Sequence, residues 1–335
     1  MKKTAFTICA NNYLAHAKTL SNSFKRYHPA VDFFIVVLDL PNNTVTYNSL
    51  GADGIVWAHE VLGSMVKELS DTYGIAELCT VVKPKMYEYF YNQGFETVLY
   101  IDPDIQVFSE FKEVFKALET YDVVLTPHIC SPTGDVGHPL DKDLMRTGIY
   151  NLGFLAMNKA PQTLEFLAWW HKRVVAYGFH DLKKGYFYDQ IWLGYAPAFL
   201  DKVYVLRHLG YNVANWNLHE RVLMEKAGTW YVNTETIPLR FFHFSHYKIG
   251  NEPIVASYNT NFTLENRHDI VPIYKNYKLS LEEAAYHDLK NIDYVFGKRP
   301  RLAGSEKISQ KPTANKFKRV AYLFKRMVKI ILGKE

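Results

Sequence analysis

The segment Leu99-Tyr100-Ile101-Asp102-Pro103-Asp104 places two carboxylates, one residue apart, at the end of an apolar run. The run predicts a buried strand, and Pro103 discourages its continuation because proline fixes φ and lacks the N–H that a sheet ladder needs. Both carboxylates can therefore turn toward one point. Such hard oxygen ligands suit Mg²⁺ or Mn²⁺, and one or two suffice when phosphates complete the shell. The segment predicts a divalent metal site with Asp102 and Asp104 as ligands.

Strand-like runs alternate with longer amphipathic stretches on both sides of this segment. The predicted strands cover residues 5–10, 32–38, 97–101, 122–126 and 150–158, and the predicted helices cover residues 14–27, 75–91, 163–177 and 281–291. This alternation predicts an α/β fold with a mostly parallel central sheet covered on both faces. Ligands bind at the carboxyl ends of the strands in such sheets, which is where Asn11, Asp39 and the Asp102–Asp104 turn fall.

Composition limits the classes of protein to which the chain can belong. Its 335 residues are 48% hydrophobic and 15% aromatic, enough to bury a sizeable core. Cys9, Cys79 and Cys130 form no C-x-x-C pair, which argues against a disulfide scaffold and a thiolate zinc site and favours a reducing cytoplasm. The apolar run Thr4–Ala10 is short for a signal peptide, and no run reaches the roughly 18 apolar residues that a spanning helix needs.

The net charge of +5 is unevenly distributed. Residues 311–335 carry eight basic side chains and one acidic one, a net charge of +7, which leaves −2 for residues 1–310. The body of the chain therefore lacks the general positive charge of a nucleic-acid-binding protein. Residues 316–332 combine an apolar helical stripe with lysines and arginines on the other face. Such a helix predicts binding to an anionic membrane surface and a cytoplasmic, peripheral location on the inner face of the cell membrane. The alternative is packing on the body or on a second subunit.

Three later segments contain further candidate residues. The strand-like run RFFHFSHY at 240–247 carries two histidines, and imidazole is a suitable third ligand for Mn²⁺. Strand alternation favours His243 over His246, although a hydrogen-bonded core histidine is the alternative for either. The segments YNLGFLAMN at 150–158 and YDQIW at 188–192 contribute Asn151, Asp189 and Gln190. Taken alone, these segments also fit an ordinary strand and a capped helix start.

The order of these motifs resembles a known family. The D-x-D strand end, Y-N-x-G-F-L-x-M-N, D-Q, L-x-x-x-Y-N at 206–212 and the late histidine resemble, over roughly residues 4–248, the retaining GT-A glycosyltransferases of family 8 and neighbouring bacterial families. Family 8 ends in H-x-x-G-x-x-K-P-W, whereas His243 leads here into FSHYKIG. This departure favours a separate bacterial envelope-polysaccharide family, and it removes the lysine that usually binds the diphosphate.

The resemblance implies an architecture and a reaction. The fold would be GT-A, a Rossmann-like nucleotide-diphospho-sugar transferase fold, with a catalytic domain at 1–249, a C-terminal subdomain at 250–312 and a C-terminal helical extension at 313–335. The reaction would move a sugar from a nucleotide diphosphate donor, expected to be a UDP-sugar, to a glycan or lipid-linked acceptor with retention of configuration. Its cofactor would be Mn²⁺ or Mg²⁺.

The resemblance also assigns roles to matching positions. It implies Asp102, Asp104 and His243 on the metal, and Asp189 and Gln190 beside the anomeric carbon as the catalytic residues. The donor-binding residues expected are Thr7, Ala10, Asn11, Lys83, Asp102, Asn151, Asn212 and Arg221. For Lys83 the alternative is a solvated helix lysine. For Arg221, which could replace the missing lysine, the alternative is a structural salt bridge.

Two other functions are compatible with parts of the sequence. A sugar-1-phosphate nucleotidyltransferase would need an N-terminal glycine-rich loop with basic residues, and residues 7–13 contain no glycine. A catalytically inactive carbohydrate-binding protein is the second alternative, and the intact D-x-D and D-Q motifs argue against it. An inverting reaction would make Asp189 a candidate base rather than a stabilising carboxylate.

Overall fold

The computed structural model describes residues 2–135 and 137–296. The predicted basic helix at 313–335 and the part of the predicted C-terminal subdomain beyond residue 296 lie outside these residues. None of the helices in the described part of the chain has the length and apolar content needed to span a lipid bilayer.

The strands belong to one large sheet and three small ones. In chain order they are β1 (Lys3–Cys9), β2 (Asp32–Val37), β3 (Gly54–Trp57), β4 (Thr97–Ile101), β5 (Ile105–Val107), β6 (Val123–Pro127), β7 (Tyr150–Asn158), β8 (His180–Asp181), β9 (Tyr186–Phe187), β10 (Val203–Val205), β11 (Val213–Ala214), β12 (Leu223–Lys226), β13 (Thr229–Val232), β14 (Thr234–Pro238) and β15 (Phe241–His243).

The large sheet has seven strands in the order β10-β6-β7-β4-β1-β2-β3. Strand β7 is antiparallel to both of its neighbours, and the other adjacent pairs are parallel. The predicted α/β fold with a mostly parallel central sheet is therefore confirmed. Because β7 runs against the others, its first residues lie at the sheet edge where β1 and β4 end.

Helices surround this sheet. In chain order they are α1 (Leu14–Tyr27), α2 (Ala58–Leu62), α3 (Met65–Ser70), α4 (Ile75–Val81), α5 (Lys83–Asn92), α6 (Lys112–Ala117), α7 (Asp141–Thr147), α8 (Pro161–Tyr177), α9 (Ala196–Phe199), α10 (Val271–Glu283) and α11 (Tyr286–Leu289). Short 3₁₀ helices cover Asn11–Tyr13, Tyr47–Ser49, Gln190–Tyr195 and His268–Ile270.

Two predicted helices differ from the observed ones. The helix predicted over 75–91 is divided at Val82 into α4 and α5, because Pro84 in the first turn of α5 has no N–H with which to continue the ladder of α4. The helix predicted over 281–291 instead begins at Val271 and ends at Glu283. Ala285 then adopts a left-handed φ of 62°, which separates α10 from α11.

Both faces of the sheet are buried, so its central strands are apolar throughout rather than alternating in polarity. In β4, Val98 and Tyr100 belong to the core on one face, and Leu99 and Ile101 belong to the core on the other. This two-sided burial is typical of parallel sheets covered by helices. It leaves the strand end at Asp102 as the first position where a charged side chain can meet solvent.

A small three-stranded sheet, ordered β11-β15-β5, lies next to the D-x-D turn. Strand β5 follows this turn directly and pairs antiparallel with β15, with Ile105 opposite His243. The Phe244 N–H donates to the Asp104 carbonyl over 2.9 Å, which extends the pairing by one residue. A residue late in the chain is thereby held beside the end of β4.

A third core connects this small sheet to the helices that follow it. Phe242 and Phe244 pack there with Tyr274 and Tyr277 of α10, and the Phe244 and Tyr277 rings stack at 3.7 Å. The Thr19 hydroxyl of α1 donates to the Ser280 carbonyl of α10 over 3.3 Å. Helix α10 therefore packs against the first helix of the chain as well as against the small sheet. The domain boundary proposed at residue 249 stays a prediction.

Candidate active site

Two carboxylates and one imidazole meet at the end of β4. The His243 Nε2 atom lies 3.1 Å from Asp104 Oδ1 and 3.7 Å from Asp102 Oδ2. One ligand atom from each of the three residues lies within 4.8 Å of the others. The alternative ligand, His246, lines the same cavity but does not belong to this cluster. The sequence motif and the late histidine thus converge as predicted.

The backbone of β7 lies against this cluster. The Asp102 N–H donates to the Gly153 carbonyl over 2.7 Å. A Cβ atom on Gly153 would lie 2.4 Å from His243 Cε1 and 2.7 Å from Nδ1, closer than real Cβ contacts allow. Only glycine therefore lets the imidazole rest on this strand, which gives the glycine of the Y-N-x-G motif a steric reason.

The charges in the cluster shift each other's protonation. Burial alone would lower the pKa of His243, but Asp104 and Asp102 outweigh it and raise that pKa above its usual value. Burial opposes ionisation of Asp104, yet the neighbouring His243 holds the pKa of that carboxyl below normal. Burial raises the pKa of Asp102, against the charges of Lys83 and His243. The Tyr100 hydroxyl donates to Asp102 Oδ1 over 2.5 Å.

This donor set fits a divalent cation. The His243 side chain is 4% exposed, while Asp104 and Asp102 are 16% and 29% exposed and face the cavity. Two carboxylate oxygens and one imidazole nitrogen suit Mn²⁺, and Mg²⁺ less well because of the nitrogen. Three protein ligands leave coordination positions for phosphate oxygens or water.

The cluster forms part of the wall of a cavity of about 660 Å³. Ala10 at the end of β1, Lys83 of α5, Asn151 and Gly153 of β7, and Asp189 all line this cavity. The volume is in the range of small-molecule and cofactor sites. Its place at the carboxyl ends of β1 and β4 is the one expected for a parallel sheet.

A buried ion pair lies on the cavity wall next to the cluster. Lys83 Nζ lies 2.7 Å from Asp189 Oδ2, and the two side chains are 2% and 3% exposed. Lys83 also donates to the Leu152 carbonyl over 3.2 Å and sits 3.9 Å from the centre of the Tyr100 ring. The alternative of a solvated helix lysine is wrong, because Lys83 is buried and paired with Asp189.

Gln190 clamps two elements of the cavity wall together. Its side-chain oxygen accepts from the Leu152 N–H over 2.9 Å, and its amide nitrogen donates to the Thr147 carbonyl over 2.8 Å. Asn151 also donates to this oxygen over 3.3 Å. The start of β7 is therefore tied to the end of α7, which indicates that Gln190 positions the cavity wall.

Four of the predicted donor-binding residues do not line the cavity. Thr7 is fully buried in β1, and Asn11 is hydrogen-bonded to Leu40 and Tyr47. Asn212 donates to the Pro127 carbonyl over 3.4 Å. Arg221 pairs with Glu220 at 3.2 Å, which is the structural salt bridge that the sequence left as its alternative. Their roles toward the donor stay predictions without a contact that supports them.

Several residues that line the cavity were not among the site residues predicted from the sequence. They are Tyr13, His128, His180, Tyr188, Trp216 and Tyr258. Trp216 packs edge-on against both His243 and His128, with ring centroids 5.2 and 5.3 Å apart. Burial lowers the pKa of His128 to about 4, so this histidine is neutral. No local pattern marks these residues, since each reaches the cavity from a loop or a short element.

Comparison with known proteins gives distant relatives. No family model matches the chain. The uncharacterized protein YfnF of Bacillus subtilis (strain 168) is 24% identical over 252 residues, which cover 72% of this chain and 81% of YfnF. YfnD of the same organism is 25% identical over 233 residues, covering 68% of this chain and 71% of YfnD.

The chain is similar to several solved structures of glycosyltransferases. The galactosyltransferase LgtC, in complex with donor and acceptor sugar analogs, matches with a TM-score of 0.45 and 14% identity over 84% of this chain and 95% of its own. GlyE of Streptococcus pneumoniae TIGR4 matches with a TM-score of 0.49 and 15% identity over 90% of this chain and 65% of its own.

The close approach of Gly153 to His243 leads to a prediction about metal binding. Gly153→Ala should displace the His243 ring and weaken Mn²⁺ binding at least tenfold, about 1.4 kcal/mol, as measured by isothermal titration calorimetry. Gly194→Ala is the matched control, because a Cβ there meets no atom within 4 Å. Wild-type affinity in Gly153→Ala would contradict the role of His243 as a ligand.

The buried ion pair leads to a prediction about stability. Lys83→Met should lower the free energy of unfolding by about 3–5 kcal/mol, because it leaves a buried carboxylate unpaired. Adding Asp189→Asn should restore part of the loss. Urea denaturation of the wild type and of the single and double variants measures both effects.

The loss in Lys83→Met should also depend on pH. Burial raises the pKa of Asp189, and Lys83 opposes that rise. Without Lys83 the pKa of Asp189 in the folded protein rises further above its value of about 3.9 in the unfolded chain. The free energy of unfolding of the variant therefore falls increasingly below that of the wild type as the pH rises above 3.9, about the unfolded pKa. In acid this difference becomes smaller, because Asp189 is protonated in both states. A loss that does not change with pH would show that Asp189 is not its source.

Proposed function

We propose that this protein is a metal-dependent glycosyltransferase that moves a sugar from a nucleotide diphosphate donor. The observation that carries the proposal is the Asp102–Asp104–His243 cluster in a cavity at the carboxyl ends of parallel strands. A nucleotide diphosphate supplies the phosphate oxygens that such an incomplete ligand set leaves room for. The resemblance of the motif order to retaining GT-A enzymes supports the same reaction and favours a UDP-sugar.

The residues of the chain have distinct parts in this proposal. Asp102, Asp104 and His243 would hold Mn²⁺ or Mg²⁺. The bound ion would stabilise the negative charge of the departing diphosphate. Lys83, held at 2.7 Å from Asp189 and close enough to Asp102 to influence its pKa, adds fixed positive charge on the same wall. A cation that is already positioned stabilises developing charge without reorganisation.

Asp189 and Asn151 would act on the sugar. The Asp189 carboxylate lines the cavity, where its negative charge can stabilise the positive charge that develops at the anomeric carbon. Asn151 lies at the start of β7, where its side chain is held by Gln190 and by His128 over 3.2 Å. Both the oxygen and the nitrogen of the Gln190 amide are hydrogen-bonded to the protein. Gln190 would therefore position Asn151 and the β7 backbone.

We extend the proposal to retention of the donor's anomeric configuration. Asp189 is engaged by Lys83, which leaves it poorly suited to deprotonate an acceptor as an inverting base must. The departing phosphate can take that proton in a retaining reaction. The NMR coupling constant of the new linkage measures the outcome. An inverted product would instead indicate that Asp189 acts as the base.

The metal cluster gives the central prediction. Asp104→Asn should lower metal-dependent release of UDP from a UDP-sugar by two orders of magnitude or more, about 3 kcal/mol, because one ligand of the ion is lost. EDTA should have the same effect on the wild type. Asp71→Asn, a change at an exposed carboxylate on the surface, is the control and should keep full activity.

The wild type should be assayed with UDP-, GDP- and dTDP-sugars in the presence of Mn²⁺. Full activity of Asp104→Asn or of EDTA-treated enzyme would contradict the metal role. The absence of hydrolysis with every donor would favour an inactive carbohydrate-binding protein instead.

The same proposal includes a peripheral membrane location. It also includes a glycan or lipid-linked acceptor, used in cell-envelope polysaccharide synthesis. The support is the +7 charge of residues 311–335, which lie outside the described residues, set against −2 for the rest of the chain. Deleting residues 313–335 should reduce co-sedimentation with anionic vesicles and spare donor hydrolysis. Equal binding of the truncated protein would exclude the membrane role, and unfolding of the truncated protein would favour the packing alternative.

A further inference from the structure

The charged groups on the cavity wall have no surplus positive charge for a nucleotide diphosphate. Lys83 is the only lysine or arginine among the described residues that line the cavity, and its charge faces Asp189 at 2.7 Å. A divalent cation would offset the carboxylates of Asp102 and Asp104, and the Asp143 carboxylate lines the cavity as well. The diphosphate therefore needs a further donor on this wall, because a charge that is buried without a partner is costly.

Histidine is the remaining side chain of the wall that can carry a positive charge. Four histidines line the cavity, namely His128, His180, His243 and His246. His243 belongs to the metal cluster, and both ring nitrogens of His128 lie within 3.4 Å of protein groups. The Nδ1 atom of His180 lies 3.4 Å from a tyrosine hydroxyl. His246 is exposed, and its imidazole takes part in no hydrogen bond or ion pair between described residues, so it can bond to a ligand.

A tight turn fixes the position of His246. The Phe244 N–H donates to the Asp104 carbonyl, and the Tyr247 N–H donates to the Phe244 carbonyl over 3.0 Å. His246 occupies the third position of this turn with a left-handed φ of 60°. This conformation costs a residue other than glycine about 1–2 kcal/mol. The His246 ring also meets the Tyr258 ring edge-on at 5.0 Å, so both the backbone and a neighbouring ring hold the imidazole in the cavity wall.

His246 interacts electrostatically with the metal cluster. Burial in the cavity wall lowers the pKa of His246, whereas the Asp104 carboxylate acts against that shift. The imidazole is therefore close enough to Asp104 to meet an anion that is bound to the metal. A diphosphate would act on His246 in the same direction as Asp104. A neutral imidazole has one N–H to donate, and the hydrogen bond to a phosphate oxygen becomes stronger when the ring is protonated.

We propose that His246 binds the diphosphate of the nucleotide-sugar donor through an imidazole N–H. This inference rests on the proposed glycosyltransferase function and adds to it a residue that recognises phosphate. His246 would supply the donor that Lys83 provides only in part, since the charge of Lys83 is shared with Asp189.

The test compares nucleotide binding with metal binding in the full-length protein. His246→Phe keeps an aromatic ring against Tyr258 but removes both ring nitrogens, and His246→Lys replaces the imidazole by another cation. His268→Phe is the matched control, because His268 is exposed and does not line the cavity. Isothermal titration calorimetry gives the dissociation constants of UDP, GDP and dTDP in the presence of Mn²⁺, and of Mn²⁺ alone. Urea denaturation checks that each variant is folded.

We expect at least one of the three nucleotides to bind the wild type and the control with equal affinity. His246→Phe should bind it about tenfold more weakly, about 1.4 kcal/mol, with an unchanged affinity for Mn²⁺. His246→Lys should recover most of this loss, because a cation is restored at the same position. Wild-type nucleotide affinity in His246→Phe, or a loss in His246→Lys as large as in His246→Phe, would overturn the inference.

Two other results have separate meanings. A fall in Mn²⁺ affinity in His246→Phe, measured without nucleotide, would make His246 a metal ligand and overturn its part in binding phosphate. A wild type that binds none of the three nucleotides would refute the proposed function. A wild type that binds one of them no more tightly than His246→Phe would refute only the inference about His246.

Discussion

The pairing of β5 with β15, two strands of three residues each, is the constraint on which the candidate site depends. It places His243 opposite Ile105, and the Phe244–Asp104 backbone bond fixes the same register beyond the strand end. A shift of one residue would turn His243 away, since side chains alternate along a strand. The Phe244–Tyr277 stack and the rest of the third core hold this small sheet against α10, so helices far from the cavity stabilise the register of the metal ligands.

The antiparallel strand β7 is the second constraint. Its direction brings Asn151, Leu152 and Gly153 to the edge where β4 ends, and each of them is used there. Gly153 makes room for the imidazole, and the Leu152 carbonyl accepts from Lys83. Gln190 then fixes the position of this strand end through both ends of its amide. One strand therefore links the metal cluster, the buried ion pair and the wall of the cavity.

Buried charges in the site are balanced only in part. Lys83 faces Asp189, whereas the single imidazole of His243 faces two carboxylates, so the cluster has an excess of negative charge that a divalent cation would offset. Unpaired, each of these charges would cost several kcal/mol to bury. The aromatic residues have two separate uses, since some fill the three large cores and others line the cavity.

The sequence by itself determined the sheet and the strand end at Asp102 and Asp104, and it predicted His243 as the third residue of the cluster. These features depend on local rules, namely the burial of central strands on both faces, the effect of Pro103 and the alternation along a strand. The sequence could not find Trp216, His128 or Tyr188, because they reach the cavity from loops and short elements that carry no periodic pattern. It also could not decide between the alternatives for Lys83 and Arg221. Tertiary packing decides for Lys83, which the folded chain buries against Asp189, whereas Arg221 pairs with Glu220 and its part toward the donor stays a prediction. A long side chain can reach several partners, and only the folded chain determines which of them is near.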